Sequence, residues 1–160
     1  QMTMKSEVHQ LGKILKEKKL TIAFAESMTC GAVADSFANI PCTSAFFKGS
    51  IVCYHEQVKH KLLGVRQETL DRFTAESREV TDELAQKLPH LIEADIHAAV
   101  TGLAAPGGSE TSEKPVGTVF FSIRYQQALH STKRLYRGTP LQIRKKASRD
   151  LCRFIMDILA

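Results

Sequence analysis

The sequence predicts an α/β fold, a three-layer α/β/α sandwich with a mixed, mostly parallel sheet. Three observations carry this. Short apolar runs of strand length (residues 20–25, 46–54 and 96–101) alternate with helical segments, as parallel crossovers require. Two more strand-like runs, 118–125 and 131–136, follow each other directly and read as a hairpin, which adds an antiparallel strand. The chain then closes on a long helix with Ile143, Ala147, Leu151, Phe154 and Ile158 at helical spacing.

Each element has its own signal. Val8, Leu11, Ile14 and Leu15 mark an amphipathic helix over about 5–18. Residues 20–25 form a buried strand that ends abruptly at Glu26-Ser27. Ala32, Val33, Ser36 and Phe37 give the next helix one apolar face, and Asn39-Ile40-Pro41 ends it. In the strand 46–54, Gly49 and Ser50 permit a bend. A short helix over 57–63 is stopped by Gly64, and 68–73 supplies another helical turn. Ser77 caps a helix over 77–92 with Val80, Leu84 and Leu88 on one face, which Pro89 ends or kinks. After the strand 96–101 comes GLAAPGGSETSEKPVG, residues 102–117. Its four Gly and two Pro exclude a regular element. The hairpin turns through 126–130, and Pro140 suits the first turn of the last helix.

The 160 residues suit one domain, 1–160. A composition of 43% hydrophobic and 24% charged residues excludes disordered and collagen-like chains. No apolar run approaches the ~20 residues a membrane helix needs, and the polar N-terminus lacks a signal-peptide core. A cytoplasmic location is expected. Lys and Arg exceed Asp and Glu by 22 to 17, with basic clusters at 13–19 and 133–149. Without Trp, interleaved aromatics or a recognisable module, these read as solvated helix faces or a site for a small anion, not for nucleic acid. Cys30, Cys42, Cys53 and Cys152 form no CxxC pair, so they read as reduced thiols and no metal is expected.

Ligands of such sheets sit at the strand C-terminal ends. Three segments meet there: Glu26-Ser27, Tyr54-His55 and Thr101-Gly102. Ser27 has two readings. Propensity alone makes it the N-cap of the following helix. Its position between a buried strand and that helix also suits a nucleophile or a phosphate ligand. A nucleophilic serine needs a base, and Lys59 is a candidate if burial lowers its pKa. Tyr54 would relay a proton or orient the lysine. His55 and His60 are rival bases. The loop at 101–108 suits close backbone approach to a ligand, and Arg144 or Lys145 suits an anion.

Taken together, these segments resemble the C-terminal domain family of the competence/damage-inducible protein CinA. ESCTGG of that family resembles Glu26-Ser27-Met28-Thr29-Cys30-Gly31, and YSNExK resembles Tyr54 to Lys59. TGIAGPGG resembles Thr101 to Gly108, and EKPVGTV is unchanged at Glu113 to Val119. The resemblance spans nearly the whole chain and implies the sandwich fold. It also implies hydrolysis of the carboxamide of nicotinamide mononucleotide to nicotinate mononucleotide and ammonia, in pyridine-nucleotide recycling. The implied catalytic residues are Ser27, Tyr54 and Lys59, with an oxyanion held by backbone N–H groups near Thr29 to Gly31 or in the 101–108 loop. The implied substrate contacts are Thr29, Gly31, Ser44, Thr101, Gly102, Gly107 and Arg144. No cofactor is implied. The expected partners are a small-molecule nucleotide and further copies of the chain, as a dimer or higher homo-oligomer, with no nucleic acid and no membrane.

The sequence departs from that pattern at five places. Cys30 stands for Gly, His55-Glu56 for Ser-Asn and Ala105 for Gly. Glu76-Ser77-Arg78 stands for Val-Ser-Glu, and Thr139-Pro140 for Asp-Arg before the last helix. Cys30, Glu56 and Pro140 favour a rival reading, a non-catalytic relative that binds a nucleotide or a protein, whereas the retained Ser27, Tyr54 and Lys59 favour the amidase.

Overall fold

The computed structural model describes residues 4–160, with side chains from Glu7 onward. In chain order the elements are α1 Met4–Lys18, β1 Ile22–Glu26, α2 Ala32–Ala38, β2 Phe47–Val52, α3 Glu56–Lys61 and α4 Gln67–Phe73. Then follow α5 Arg78–Lys87, β3 Ile96–Gly102, β4 Thr118–Tyr125, β5 Ala128–Leu135 and α6 Pro140–Leu159. The strands form one sheet in the order β2-β1-β3-β4-β5. β1 pairs in parallel with β2 and β3, whereas β4 runs antiparallel to both β3 and β5. The sheet is mixed, with β4 alone reversed.

The alternation of side chains along β1 and β3 sorts the two covering layers. Ile22, Phe24, Ile96, Ala98 and Val100 face α1, α2 and α6, where they meet Leu11, Leu15, Phe37, Leu151 and Ile155. The Phe24 and Phe37 rings sit 5.1 Å apart at 58°. Ala23, Ala25 and Ala99 face the other way, against Leu70, Val80 and Leu84 from α4 and α5. These small strand residues let α5 lie close to the sheet. Helices on both faces bury the central strands completely.

Several boundaries differ from the sequence reading. α2 begins at Ala32, not directly after Ser27, and its N-cap is Gly31 at φ 90°. Ser27 is therefore not the cap of that helix. The last hairpin is tighter than expected: Gln126 and Gln127 both take positive φ, 50° and 64°, and Tyr125 pairs with Ala128. That two-residue turn lets β5 start at residue 128. α5 ends at Lys87 and passes into a 3-10 turn over Leu88–His90, where Pro89 cannot donate a helical hydrogen bond. Ser77 accepts from the Val80 N–H at 3.2 Å, as an N-cap does. Thr139 caps α6 in a reciprocal box with Gln142, and Pro140 occupies the first turn. Thr139-Pro140 thus builds the helix start and offers no side-chain cation there.

Candidate functional site

The parallel β1–β2 pair places Glu26 opposite Val52, so residues 27–31 and 53–55 leave the sheet side by side. Ser27 extends β1 by one residue, its N–H donating to the Val100 carbonyl at 3.1 Å. Its side chain is buried. α3 starts directly after this edge, with His55 as N-cap: His55 Nδ1 accepts from the Gln57 N–H at 3.2 Å. Of that short helix, Lys59 alone is buried, only 1% exposed. His55 and His60, the rival bases, are both engaged locally. His60 Nδ1 lies 2.8 Å from the Val65 carbonyl.

Lys59 Nζ sits 2.9 Å from Ser27 Oγ, 2.7 Å from the Cys53 carbonyl and 3.1 Å from the Tyr54 carbonyl. As an ammonium it donates to all three. Desolvation by burial pushes its pKa below the ordinary lysine value, offset in part by Cys53, Glu76 and Glu56. Neutral, its two N–H bonds satisfy the two carbonyls and its lone pair faces the Ser27 hydroxyl proton. That is the geometry of a general base on a serine. Cys53 contributes its carbonyl. Burial pushes its thiol up to about 11, so the sulfur stays protonated at neutral pH.

Tyr54 differs from expectation. Its side chain is 67% exposed and its hydroxyl meets neither Lys59 nor Ser27 among the described residues. It orients the lysine through its main-chain carbonyl, because the strand has ended and that carbonyl is free to turn inward.

Glu26 was not singled out by sequence reasoning, and it organises the turn that carries Ser27. The fully buried carboxylate accepts from Thr29 Oγ1 (2.9 Å), Val33 N–H (2.9 Å), Ala34 N–H (3.1 Å) and Ser50 Oγ (2.7 Å). A carboxylate closing a wholly apolar strand was the available signal. The first free N–H groups of α2 are thereby occupied. The N–H groups of Met28, Thr29 and Gly31 meet no acceptor among the described residues and are the free donors of this turn, whereas the Cys30 N–H donates to the Ser27 carbonyl at 3.1 Å. The Thr29 hydroxyl serves Glu26.

The other expected contacts divide. Gly31 and Arg144 line a cleft of about 590 Å³ with Thr29, Cys30, Asp35 and Tyr54. Gly102, Gly107 and Arg144 line an adjoining cleft of about 270 Å³ that contains Ser27, Met28, Tyr54 and Glu76. Arg144 and Tyr54 belong to both, and the Arg144 guanidinium has no ion pair among the described residues. Gly102 is small for the sheet's sake: a Cβ there would come within 2.7 Å of the Thr118 carbonyl. The Gly107 N–H donates to Glu110 at 2.8 Å, so it is not free for a ligand.

Two expected contacts lie elsewhere. Thr101 is buried towards α5, its hydroxyl 2.8 Å from that of Thr81, because residue 101 shares the inward face of Ala99. Ser44 sits in a 3-10 turn before β2, at the opposite end of the sheet, because α2 carries the chain back there before β2 begins.

The glycine-rich segment is pinned. Lys114 Nζ donates to Thr74 Oγ1 (2.7 Å), the Glu76 carbonyl (2.7 Å) and Ser109 Oγ (2.9 Å). Ser109 Oγ donates to Glu76 Oε2 at 2.5 Å. Sequence reasoning assigned no role to Lys114, Ser109 or Glu76; the bonds that tie 109 and 114 to residues 74 and 76 span 33 to 40 residues.

Cys30 lines the larger cleft at φ 51°, in the left-handed region. A side chain there costs about 1 kcal/mol. Cys30→Gly is expected to raise stability by about 0.5 kcal/mol, after the added chain entropy of glycine is deducted. Urea denaturation checks this. An unchanged midpoint would mean the turn carries no such strain.

Fold and site define an α/β/α domain with a buried serine–lysine pair at the C-terminal edge of its parallel strands. The CinA C-terminal domain model matches residues 4–159. A CinA-like protein of Endomicrobium trichonymphae is 42% identical over 135 residues, 84% of this chain and 31% of that protein. A putative competence-damage inducible protein of Clostridioides difficile is 41% identical over 141 residues, 88% of this chain and 34% of that one. The chain spans about a third of the length of these relatives. The crystal structure of a competence or damage-inducible protein from Enterobacter asburiae superposes with a TM-score of 0.94 at 28% identity, covering 100% of both chains. That of the competence damage-inducible protein A from Klebsiella pneumoniae gives 0.93 at 26% identity, covering 98% of this chain and 96% of that one. The chain belongs to the CinA C-terminal domain family.

Proposed function

We propose that this chain is an amidohydrolase that converts nicotinamide mononucleotide to nicotinate mononucleotide and ammonia. The observation that carries the reading is the buried Lys59 Nζ, 2.9 Å from Ser27 Oγ, with its other hydrogen-bonding capacity absorbed by two carbonyls. Neutral Lys59 takes the Ser27 proton as Oγ attacks the carboxamide carbon. The resulting ammonium returns a proton to the amide nitrogen, and ammonia leaves an acyl-serine. Water then attacks with Lys59 again as base, which releases the acid and restores the hydroxyl. Backbone N–H groups of Met28 and Thr29 suit the developing oxyanion. Arg144, a cation without an ion pair between the two clefts, suits the phosphate.

The test is direct. Purified chain is incubated with nicotinamide mononucleotide, and ammonia and the acid product are followed. Turnover that Ser27→Ala abolishes supports the reading, and absence of turnover at high enzyme concentration rejects it. Arg144→Ala should raise KM about 10- to 100-fold, the range for a lost charge-assisted hydrogen bond, with kcat less affected. An unchanged KM would remove Arg144 from the phosphate site. The rival, a nucleotide-binding relative without activity, draws on Thr139-Pro140, which builds the α6 start without a cation. It predicts a thermal shift with nucleotide but no ammonia.

A further inference from the structure

The smaller cleft holds one carboxylate, Glu76, and one cation, Arg144, among the residues that line it; the rest of its lining is Ser27, Met28, Tyr54 and the 102–108 backbone. Glu76 is fixed in place. Its Oε2 accepts from Ser109 Oγ at 2.5 Å, and Ser109 is itself held by Lys114. Lys114 reaches the Glu76 main-chain carbonyl at 2.7 Å, not the carboxylate. Among the described residues the carboxylate forms no ion pair, and Oε1 accepts no hydrogen bond. Oε1 lies beside Gly108, 3.9 Å from where a Cβ of that residue would stand. The carboxylate is thus held through one oxygen, and the other is open to a donor in the cleft.

Resting on the amidase reading, we propose that Glu76 Oε1 is a specificity-determining acceptor for an N–H of the substrate's carboxamide in the Ser27 cleft. The chemistry discriminates between substrate and product. A primary carboxamide offers two N–H donors to Glu76 while its carbonyl carbon faces Ser27. The carboxylate product offers no donor and brings a second negative charge to the same place. Like charges placed side by side in the cleft are disfavoured, so the acid is released and competes poorly with the amide. The cleft thus takes a ligand with an amide at one end and an anion at the other, towards Arg144. Glu76 stands where the resembling segment has Val, so the acceptor is a feature of this chain and not of that pattern.

The test compares binding of nicotinamide mononucleotide and nicotinate mononucleotide by calorimetry, in the Ser27→Ala chain so that neither is turned over. The amide should bind on the order of 10²-fold more tightly than the acid. Adding Glu76→Val should bring the two affinities within about threefold, because the acid tightens and the amide weakens. Glu76→Gln keeps the shape and an acceptor for Ser109 but offers an N–H₂ group, and should shift preference towards the acid. Ser109→Ala, which frees the carboxylate, should fall between the parent and Glu76→Val. A ratio unmoved by both Glu76 substitutions overturns the assignment, and the amidase reading stands if the unmutated chain still releases ammonia. Binding of neither mononucleotide, together with no ammonia from the unmutated chain, overturns the amidase reading and the role of Glu76 with it.

Discussion

Lys59→Met is expected to slow ammonia release from nicotinamide mononucleotide about 10³-fold, with KM within about threefold of the parent value. The split follows from geometry. Lys59 is 1% exposed, lies beneath Ser27 and lines neither cleft, so its loss removes the proton acceptor without removing a ligand contact. Methionine fills similar volume but leaves the Cys53 and Tyr54 carbonyls without their donor. Single-turnover kinetics would separate the chemical step from release. A Met variant with normal turnover would remove the base assignment.

The same lysine sets a pH dependence with a definite sign. Burial depresses the folded-state pKa below the ordinary value of 10.5. On the amidase reading the neutral form is the active one, so kcat/KM should rise with pH up to that depressed pKa and then level off. Stability follows the same group. Between the depressed pKa and 10.5 the unfolded chain holds a proton that the folded chain has released, so the Lys59 contribution to stability grows as pH rises. Below the depressed pKa that gain is absent, because both states carry the charge. Lys59→Met should flatten the rate profile and this part of the stability profile together.

Glu26→Ala is expected to lower stability by about 4 kcal/mol, the scale of removing one partner from a buried charged hydrogen-bond network. Four donors converge on this carboxylate, and two of them are the first N–H groups of α2. Alanine leaves them buried without an acceptor. Glu26→Gln is the sharper variant. It keeps the shape but turns an N–H₂ group towards either the Val33 N–H and Thr29 hydroxyl or the Ala34 N–H and Ser50 hydroxyl, which should cost about 2 kcal/mol. Urea titration with an unchanged m-value is the measurement. A Gln variant within about 0.5 kcal/mol of the parent would show that the network rearranges freely. Turnover should fall in both variants, because the Ser27–Gly31 turn is tied to Glu26.

The layer order was legible because it rests on local periodicity. Phe24 and Ala25 point to opposite faces of one strand whatever surrounds them, and Val80 and Leu84 share one face of α5 by helical spacing. Ser27 was legible as a residue at a strand end, and Lys59 as a base only if buried. Thr101 and Ser44 were misplaced for one common reason. Both were carried over from the resemblance, but the direction of a side chain in β3 and the return of α2 to the far end of the sheet are facts of three-dimensional packing.

By itself the sequence determined the helix and strand pattern, the two-faced sheet and the three segments that leave its C-terminal edge, because propensity and hydrophobic period act over a few residues. The tertiary structure decided what those segments do to each other. It brought residues 27 and 59 to 2.9 Å, placed Glu26 under the turn instead of Ser27 at a cap, and set Glu76 into the cleft through Ser109 and Lys114. The Ser27–Lys59 contact and the ties of Glu76 join atoms 30 or more residues apart, and no local pattern in the chain encodes them.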